Sequence, residues 1–326
     1  MPSTPEIDTL GYNGLTEHTE GLPADAYFDP RRYERELQRI WYRNWVYVGR
    51  SSDLARNRAF RTFELGDQRI LLVRDDQRNL QGFHNTCRHR GAALCREPEG
   101  LFGGGTIVCP YHAWTYNLHG DLLRTSSKAH ADGFDVADFP LYKISVKEWN
   151  GFIFVALTHD PPPFDRMFDL PLNRLDSWSL GELAVGHVLL KTIESNWKIF
   201  WENYNECLHC PGVHPQLSPL VPIGLPSVFL VGHVDFVRVV RLLPLGPERT
   251  ELRVEYLFSP QTLGDPGFDM RNVVDFTNRV MTEDAQVCEL NQRGLHAGPH
   301  SRGVVMPEEY VIRQFHAWLG AELARV

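Results

Sequence analysis

The stretch Cys87-Arg88-His89-Arg90-Gly91, followed by Cys109-Pro110-Tyr111-His112-Ala113-Trp114, decides how the first half of this chain is read. Its pattern is Cys-x-His, a spacer, then Cys-x-x-His. Two thiolates on one iron and two neutral imidazoles on the other make a mixed-ligand [2Fe–2S] cluster, and the imidazoles raise its potential. Two short loops, each giving one sulfur and one nitrogen, can close over such a cluster from opposite sides. The glycine and proline beside the ligands suit backbones that turn tightly. The competing reading is one zinc ion held by two cysteines and two histidines, which usually asks for a wider first gap than Cys-x-His. Cys95 reads as a packed thiol, and His84 and His119 as ordinary neighbours.

Outward from the motif, residues 46–160 read as a compact all-β module. Short apolar runs such as Arg69–Val73, Thr106–Val108 and Gly151–Leu157 are separated by Gly, Asp and Asn turn signals. Before it, residues 1–45 form a polar arm and then a helix from Asp29 to about Trp45, with Tyr33, Leu37, Ile40, Trp41 and Trp45 on one face. After it, Asp160-Pro161-Pro162-Pro163 punctuates the chain as a linker. The remainder, residues 161–326, reads as α+β. Strands are expected at Ala184–Ile193, Val228–Leu243 and Glu251–Phe258. Helices are expected from Ser195 (as N-cap) toward Pro211, from Asp269 to Arg293, and from Pro307 onward.

The second half carries Glu202-Asn203-Tyr204-Asn205-Glu206-Cys207-Leu208-His209-Cys210-Pro211-Gly212-Val213-His214. Glu206 and His209, three apart, share a face if the helix continues that far. Pro211 and Gly212 then let the chain swing His214 back. Asp284 shares a stripe of the later helix with Val273, Val280, Val287 and Asn291, while Glu283 and Glu289 do not. A buried carboxylate is costly unless paired or bound to metal. His209, His214 and Asp284 would make a two-histidine, one-carboxylate triad with open positions on Fe(II). Two alternatives stay open: Asp284 capped by an arginine or a backbone amide, and a zinc site using Cys207 and Cys210 with His209 or His214.

The bulk properties agree with a metabolic enzyme. With 326 residues there is room for about two domains. A net charge of −8 argues against nucleic acid or an anionic membrane as partner. No apolar run is long enough to span a bilayer, and Met1–Gly21 lacks the basic start and apolar core of a secretory signal. Six cysteines without such a signal favour metal binding over disulfides, and the cytoplasm as location.

Together these motifs resemble the Rieske non-haem iron ring-hydroxylating oxygenases, α (terminal oxygenase) subunits, from about Trp41 to Leu295. The resemblance implies a Rieske domain and a catalytic domain of helix-grip (START/Bet v 1-like) type, with an antiparallel sheet and a long C-terminal helix. It implies a homotrimer in which one protomer's cluster faces the next protomer's iron. Carried over, Cys87, His89, Cys109 and His112 would hold the cluster, and His209, His214 and Asp284 the mononuclear iron. Glu206 would bridge the neighbour's His112 to His209, and Asn203 would stand near the iron. Many members have Asp at the bridge; Glu, in Trp201-Glu202-Asn203-Tyr204-Asn205-Glu206-Cys207, looks more like the branch oxidising quaternary amines. Pro215–Ser227 is shorter than the matching stretch in similar proteins, which leaves the substrate open.

The implied function is a terminal oxygenase that uses O2 and electrons from a reductase or ferredoxin, fed indirectly by NAD(P)H, to hydroxylate a small organic substrate. N-demethylation of a betaine-like compound would favour aromatic walls, for which Phe200, Trp201 and Tyr204 are candidates; the plainer reading makes them helix core. Aromatic-ring hydroxylation by a mono- or dioxygenase is the second reading, and a non-catalytic Rieske electron carrier the third.

Overall fold

The computed structural model describes residues 15–128, 131–167, 176–206, 208 and 226–325. From Thr19 onward the N-terminal arm takes part in the fold. Strand β1 (Thr19–Pro23) pairs antiparallel with a C-terminal strand, Arg302–Val305. Helix α1 (Pro30–Glu36) starts where Asp29 accepts the Arg31 N–H, with Pro30 in the first turn, and widens into a π-helical turn at Leu37–Trp41.

The all-β module follows as β2 (Val46–Arg50), β3 (Ala59–Leu65), β4 (Gln68–Arg74), β5 (Leu80–His84), β6 (Glu99–Leu101), β7 (Thr106–Val108), β8 (Thr115–Asn117), β9 (Leu122–Arg124), β10 (Ser145–Trp149) and β11 (Phe152–Ala156). They form three antiparallel sheets among the described residues: β5-β4-β3-β6, β7-β8-β9 and β10-β11-β2. The end that bears the two Cys/His loops has its own apolar core, which includes Leu71, Phe83, Ile107 and Trp114. The expected linker is tied down, since the Trp45 indole N–H donates to the Pro162 carbonyl at 2.8 Å.

The second half is a four-stranded antiparallel sheet gripping a helix. Strand β12 (Ala184–Ile193) and helix α2 (Trp197–Tyr204) precede β13 (Val228–Gly232), β14 (Val237–Gly246) and β15 (Arg249–Phe258), in sheet order β12-β15-β14-β13. A short α3 (Pro260–Gly264) leads to the 25-residue α4 (Arg271–Leu295), which packs on β12 and α2. Strand β16 (Arg302–Val305) and helix α5 (Tyr310–Ala324) close the fold.

Three expectations are corrected. The single strand at Val228–Leu243 is a hairpin, β13 and β14, joined through residues 233–236. The cap of α2 is Asn196, whose side chain accepts the Lys198 N–H at 3.0 Å, and not Ser195. The buried stripe of α4 runs through Val274, Thr277, Val280, Met281, Asp284, Ala285, Cys288, Gln292 and Leu295; Val280 and Asp284 are on it as expected, Val273 and Val287 are half-buried, and Asn291 is exposed.

The halves are welded by buried polar contacts. The Lys198 ammonium lies 2.6 and 2.8 Å from the two oxygens of Glu36, and the Trp197 indole N–H also donates to that carboxylate at 2.8 Å. Both partners of the pair are buried, so α1 is fixed on α2 by a charge pair that solvent does not screen. Tyr47 of β2 donates to Glu255 of β15 at 2.7 Å.

Candidate metal centres

The two Cys/His loops have the same backbone plan. In the first, the Cys87 N–H donates to the Ala92 carbonyl at 2.8 Å and the Gly91 N–H returns to the Cys87 carbonyl at 3.0 Å. In the second, the Cys109 N–H donates to Trp114 at 2.8 Å and the Ala113 N–H returns to Cys109 at 3.0 Å. The fourth residue after each cysteine is left-handed, Gly91 at φ 72° and Ala113 at φ 54°. Glycine takes this conformation freely; alanine does so at a cost of roughly 1–2 kcal/mol, held by the surrounding contacts. Asn85 braces the first loop, accepting the Leu94 and Cys95 N–H groups at 3.0 and 2.9 Å and donating to the Cys95 carbonyl at 2.7 Å.

The donors are sorted by type. Cys87 and Cys109 are buried, and burial pushes the Cys87 thiol up, with the adjacent Cys109 thiol adding to it. His89 and His112 face each other, Nδ1 to Nδ1, at 3.2 Å on the exposed side. His89 stacks on Trp114 at 4.8 Å between ring centres, and His112 lies against Tyr111 at 3.7 Å. The Tyr116 hydroxyl is 3.2 Å from Cys87 Sγ and accepts the Arg88 N–H at 3.1 Å. Arg88 anchors the loop by donating to the Pro140 carbonyl and lying over the Tyr142 ring. Among the described residues no three His, Cys, Asp or Glu side chains gather as one ion would require. An imidazole pair beside a thiol pair fits two irons better than a single tetrahedral zinc.

The second constellation is described only in part. His209, His214, Cys207 and Cys210 lie outside the described residues, as does Pro215–Ser227 apart from Pro226 and Ser227. Helix α2 ends at Tyr204, well before Pro211, so Glu206 lies beyond the helix, and its carboxylate accepts the Leu208 N–H. Asp284 is 3% exposed on the inner face of α4. A carboxylate so placed suits a cation, and the metal fit rests on that donor alone. Nearby Cys288 is pushed well above the ordinary thiol range by burial and by Asp284, Glu202, Glu289 and Glu206, so carboxylates from α2, its extension and α4 converge there. Asn203, Glu202 and Glu206 line a cavity of about 290 Å³ that reaches His300, Glu309 and His316. Glu202 accepts from the Tyr27 hydroxyl at 2.9 and 3.1 Å and lies 2.9 Å from His316 Nε2.

The aromatic stripe is core. Trp201 stacks on Phe315 at 3.8 Å, Tyr204 lies 4.7 Å from Phe229, and Phe200 is fully buried. Their packing fits the plainer of the two readings, helix core. Sequence reasoning missed Tyr116, Asn85, Tyr27 and His316, none of which belongs to a spacing pattern.

Residues 44–140 match the Rieske [2Fe-2S] domain family, and residues 174–225 and 222–324 match the catalytic domain of the ring hydroxylating alpha subunit. The chain belongs to the Rieske ring-hydroxylating oxygenase α-subunit family. Among relatives of this α subunit is the glycine betaine monooxygenase oxygenase subunit of Pseudomonas aeruginosa, 34% identical over 62% of this chain and 46% of the relative. The chloroplastic choline monooxygenase of Beta vulgaris is 27% identical over 91% of this chain and 76% of its own length. The chain thus spans about half the length of the glycine betaine monooxygenase relatives it matches. In structure it resembles the quaternary ammonium Rieske monooxygenase CntA in complex with L-carnitine (TM-score 0.78, 22% identity, 94% of this chain and 96% of that one). It also resembles naphthalene 1,2-dioxygenase from Rhodococcus sp. (TM-score 0.73, 18% identity, 94% and 95%). At these identities the structural likeness establishes the fold.

Proposed function

We propose that this α subunit is the terminal oxygenase of a multicomponent system that hydroxylates an N-methyl group of a quaternary ammonium compound. The hydroxylated group leaves as formaldehyde. The observation that carries this reading is the pairing of a sorted set of two cysteines and two histidines with a buried carboxylate, Asp284, facing α2 in the same chain. The glycine betaine and choline relatives support the substrate class.

In this reading Cys87, His89, Cys109 and His112 hold the cluster, and His209, His214 and Asp284 the mononuclear iron. When bound, the cluster supplies electrons singly and the mononuclear iron activates O2. The chain's own residues set access and potential. Tyr116 directs its hydroxyl at Cys87, Trp114 covers one face of His89, and the exposed His89 and His112 rings meet an electron donor or the next protomer. Glu206, just past α2, relays between His112 of a neighbouring protomer and His209 in a homotrimer, and Asn203 supports the iron site from α2. The electrons come from a reductase or ferredoxin fed by NAD(P)H. Among the described residues Cys87, Cys95, Cys109 and Cys288 form no disulfide, which suits the cytoplasm. Among the described residues no helix is long and apolar enough to cross a membrane.

The test is iron-loaded protein with a reductase, O2, and either glycine betaine, choline or an arene. Formaldehyde from a quaternary amine, abolished by Asp284→Asn and slowed at least about 100-fold by Glu206→Gln with both metals retained, supports the reading. Diol or phenol from the arene, without formaldehyde, transfers the protein to ring hydroxylation. Iron in the cluster alone, with no turnover of either class, makes it an electron carrier.

A further inference from the structure

Among the described residues the four buried arginines are Arg50, Arg74, Arg238 and Arg241. Three have carboxylate or carbonyl partners, although the Arg241 Nε, like that of Arg238, has no acceptor of its own. Arg74 pairs with Glu148 at 2.8 Å and Arg241 with Glu251 at 2.5 Å. Arg50 donates to the carbonyls of Leu180 and Leu183 at 2.8 and 3.1 Å and covers the Phe152 ring. Arg238 differs. It is 5% exposed, its Nη2 donates at 2.9 Å to the hydroxyl of Tyr204, and its Nε has no acceptor. Among the described residues it has no carboxylate partner.

Its position gives that charge a direction. On β14, Val237 and Val239 belong to the core on the β2–β11 side, while Val240 and Leu242 belong to the core shared with α2 and α4. Side chains alternate along a strand, so Arg238 shares the face of Val240 and Leu242, toward the helices. Tyr256 lies directly opposite it on β15. Burial pushes the phenol of Tyr204, its hydrogen-bond partner, up, with Arg238 lowering it and Asp284 raising it. The guanidinium thus lies in the interior that also holds Asp284. A cation bound by Asp284 would make that interior more positive, so Arg238 does not serve to balance a metal. Burying a guanidinium beside one neutral phenol is costly unless an anion completes it. A planar fork whose Nε–H is without an acceptor matches a carboxylate better than a lysine would.

We infer that Arg238 is the specificity-determining anchor for a substrate carboxylate. The preferred substrate is then a quaternary ammonium acid and not a quaternary ammonium alcohol. Tyr204 holds the guanidinium in place, and the cationic end of the substrate lies toward the iron-ligand candidate. This inference rests on the quaternary-ammonium reading for the substrate's other end, but the arginine's role is separable from it.

The experiment measures kcat and KM of the iron-loaded protein with its reductase for glycine betaine and choline, in wild type, Arg238→Lys, Arg238→Gln and Tyr204→Phe. The cluster's visible spectrum checks that each variant is folded. Wild type should prefer the acid. Arg238→Gln should lower kcat/KM for the acid by about 100-fold, mainly through KM, and alter choline turnover by less than about threefold. Arg238→Lys should keep part of the preference, and Tyr204→Phe most of it. An acid-to-alcohol ratio unchanged in Arg238→Gln overturns the anchor and leaves the quaternary-ammonium reading standing. If neither amine is oxidised, that reading fails, and benzoate against toluene becomes the substrate pair. A preference for the acid that Arg238→Gln removes then supports the anchor alone; no such preference overturns it too.

Discussion

The two candidate centres of this chain are built in opposite ways. The Cys/His centre is local: two loops of identical backbone plan, each closed on itself by the same pair of hydrogen bonds and a left-handed fourth residue. Its supports, Asn85, Tyr116 and Trp114, come from the same module and its own apolar core. The carboxylate centre is dispersed. Asp284 stands on α4, Glu206 beyond the end of α2, Arg238 on β14, and the helix between them is fixed from outside by Glu36 on α1. A local centre should tolerate damage elsewhere; a dispersed one should register any shift of the elements that carry it.

The largest expected effect breaks the comparison if it fails. Cys109→Ser removes one of the two thiols proposed to hold an iron, so the visible absorption of the cluster should vanish and its iron be lost. If the modules are independent, the mononuclear iron stays, and metal analysis should find it undiminished. Loss of both metals together would mean that the catalytic half depends on the loaded Rieske loops.

Next comes the weld between α1 and α2. Lys198→Met leaves the Glu36 carboxylate buried, with the Trp197 indole N–H still donating to it. Breaking a buried pair from one side costs about 3–5 kcal/mol, which urea denaturation would read as a lower midpoint. Replacing both partners, Glu36→Leu with Lys198→Met, should recover most of that loss, because neither charge is then stranded. The asymmetry sharpens the contrast: Lys198→Met should weaken iron retention in the second centre and leave the cluster spectrum unchanged. Equal damage to both centres would deny the distinction.

The same contrast explains what could be read from the chain without coordinates. Cys87, His89, Cys109 and His112 were legible because adjacent residues and tight-turn formers carry the whole signal within two loops. Strand Ala184–Ile193 and the long helix with Asp284 inward were legible from periodicity. The end of α2 was not: the hydrophobic spacing runs on toward Pro211, while the helix stops at Tyr204 with Asn205 as its cap. Nor was β1, a polar segment whose pairing with β16 depends on a partner near the other end of the chain. Arg238 was invisible in principle. An arginine in an apolar strand reads like Arg241 further along the same strand, and only tertiary packing shows which one found a carboxylate.

The smallest effect probes how the local centre is tuned. The Tyr116 hydroxyl accepts the Arg88 N–H, so its own proton is free to be given to Cys87 Sγ at 3.2 Å. An added electron increases the charge on the cluster's sulfur ligands, so such a donor stabilises the reduced form more than the oxidised one. Tyr116→Phe deletes it. With about 1 kcal/mol for the hydrogen bond, the potential should fall by roughly 40 mV for a one-electron couple. The Arg88 N–H also loses its acceptor, so a small stability loss should accompany the shift, while KM for substrate in the other half stays the same. A potential unchanged within about 10 mV would mean that the phenol braces the loop through Arg88 without touching the electronics of Cys87. The module would then be local in its architecture but would owe its potential to burial and to the two imidazoles.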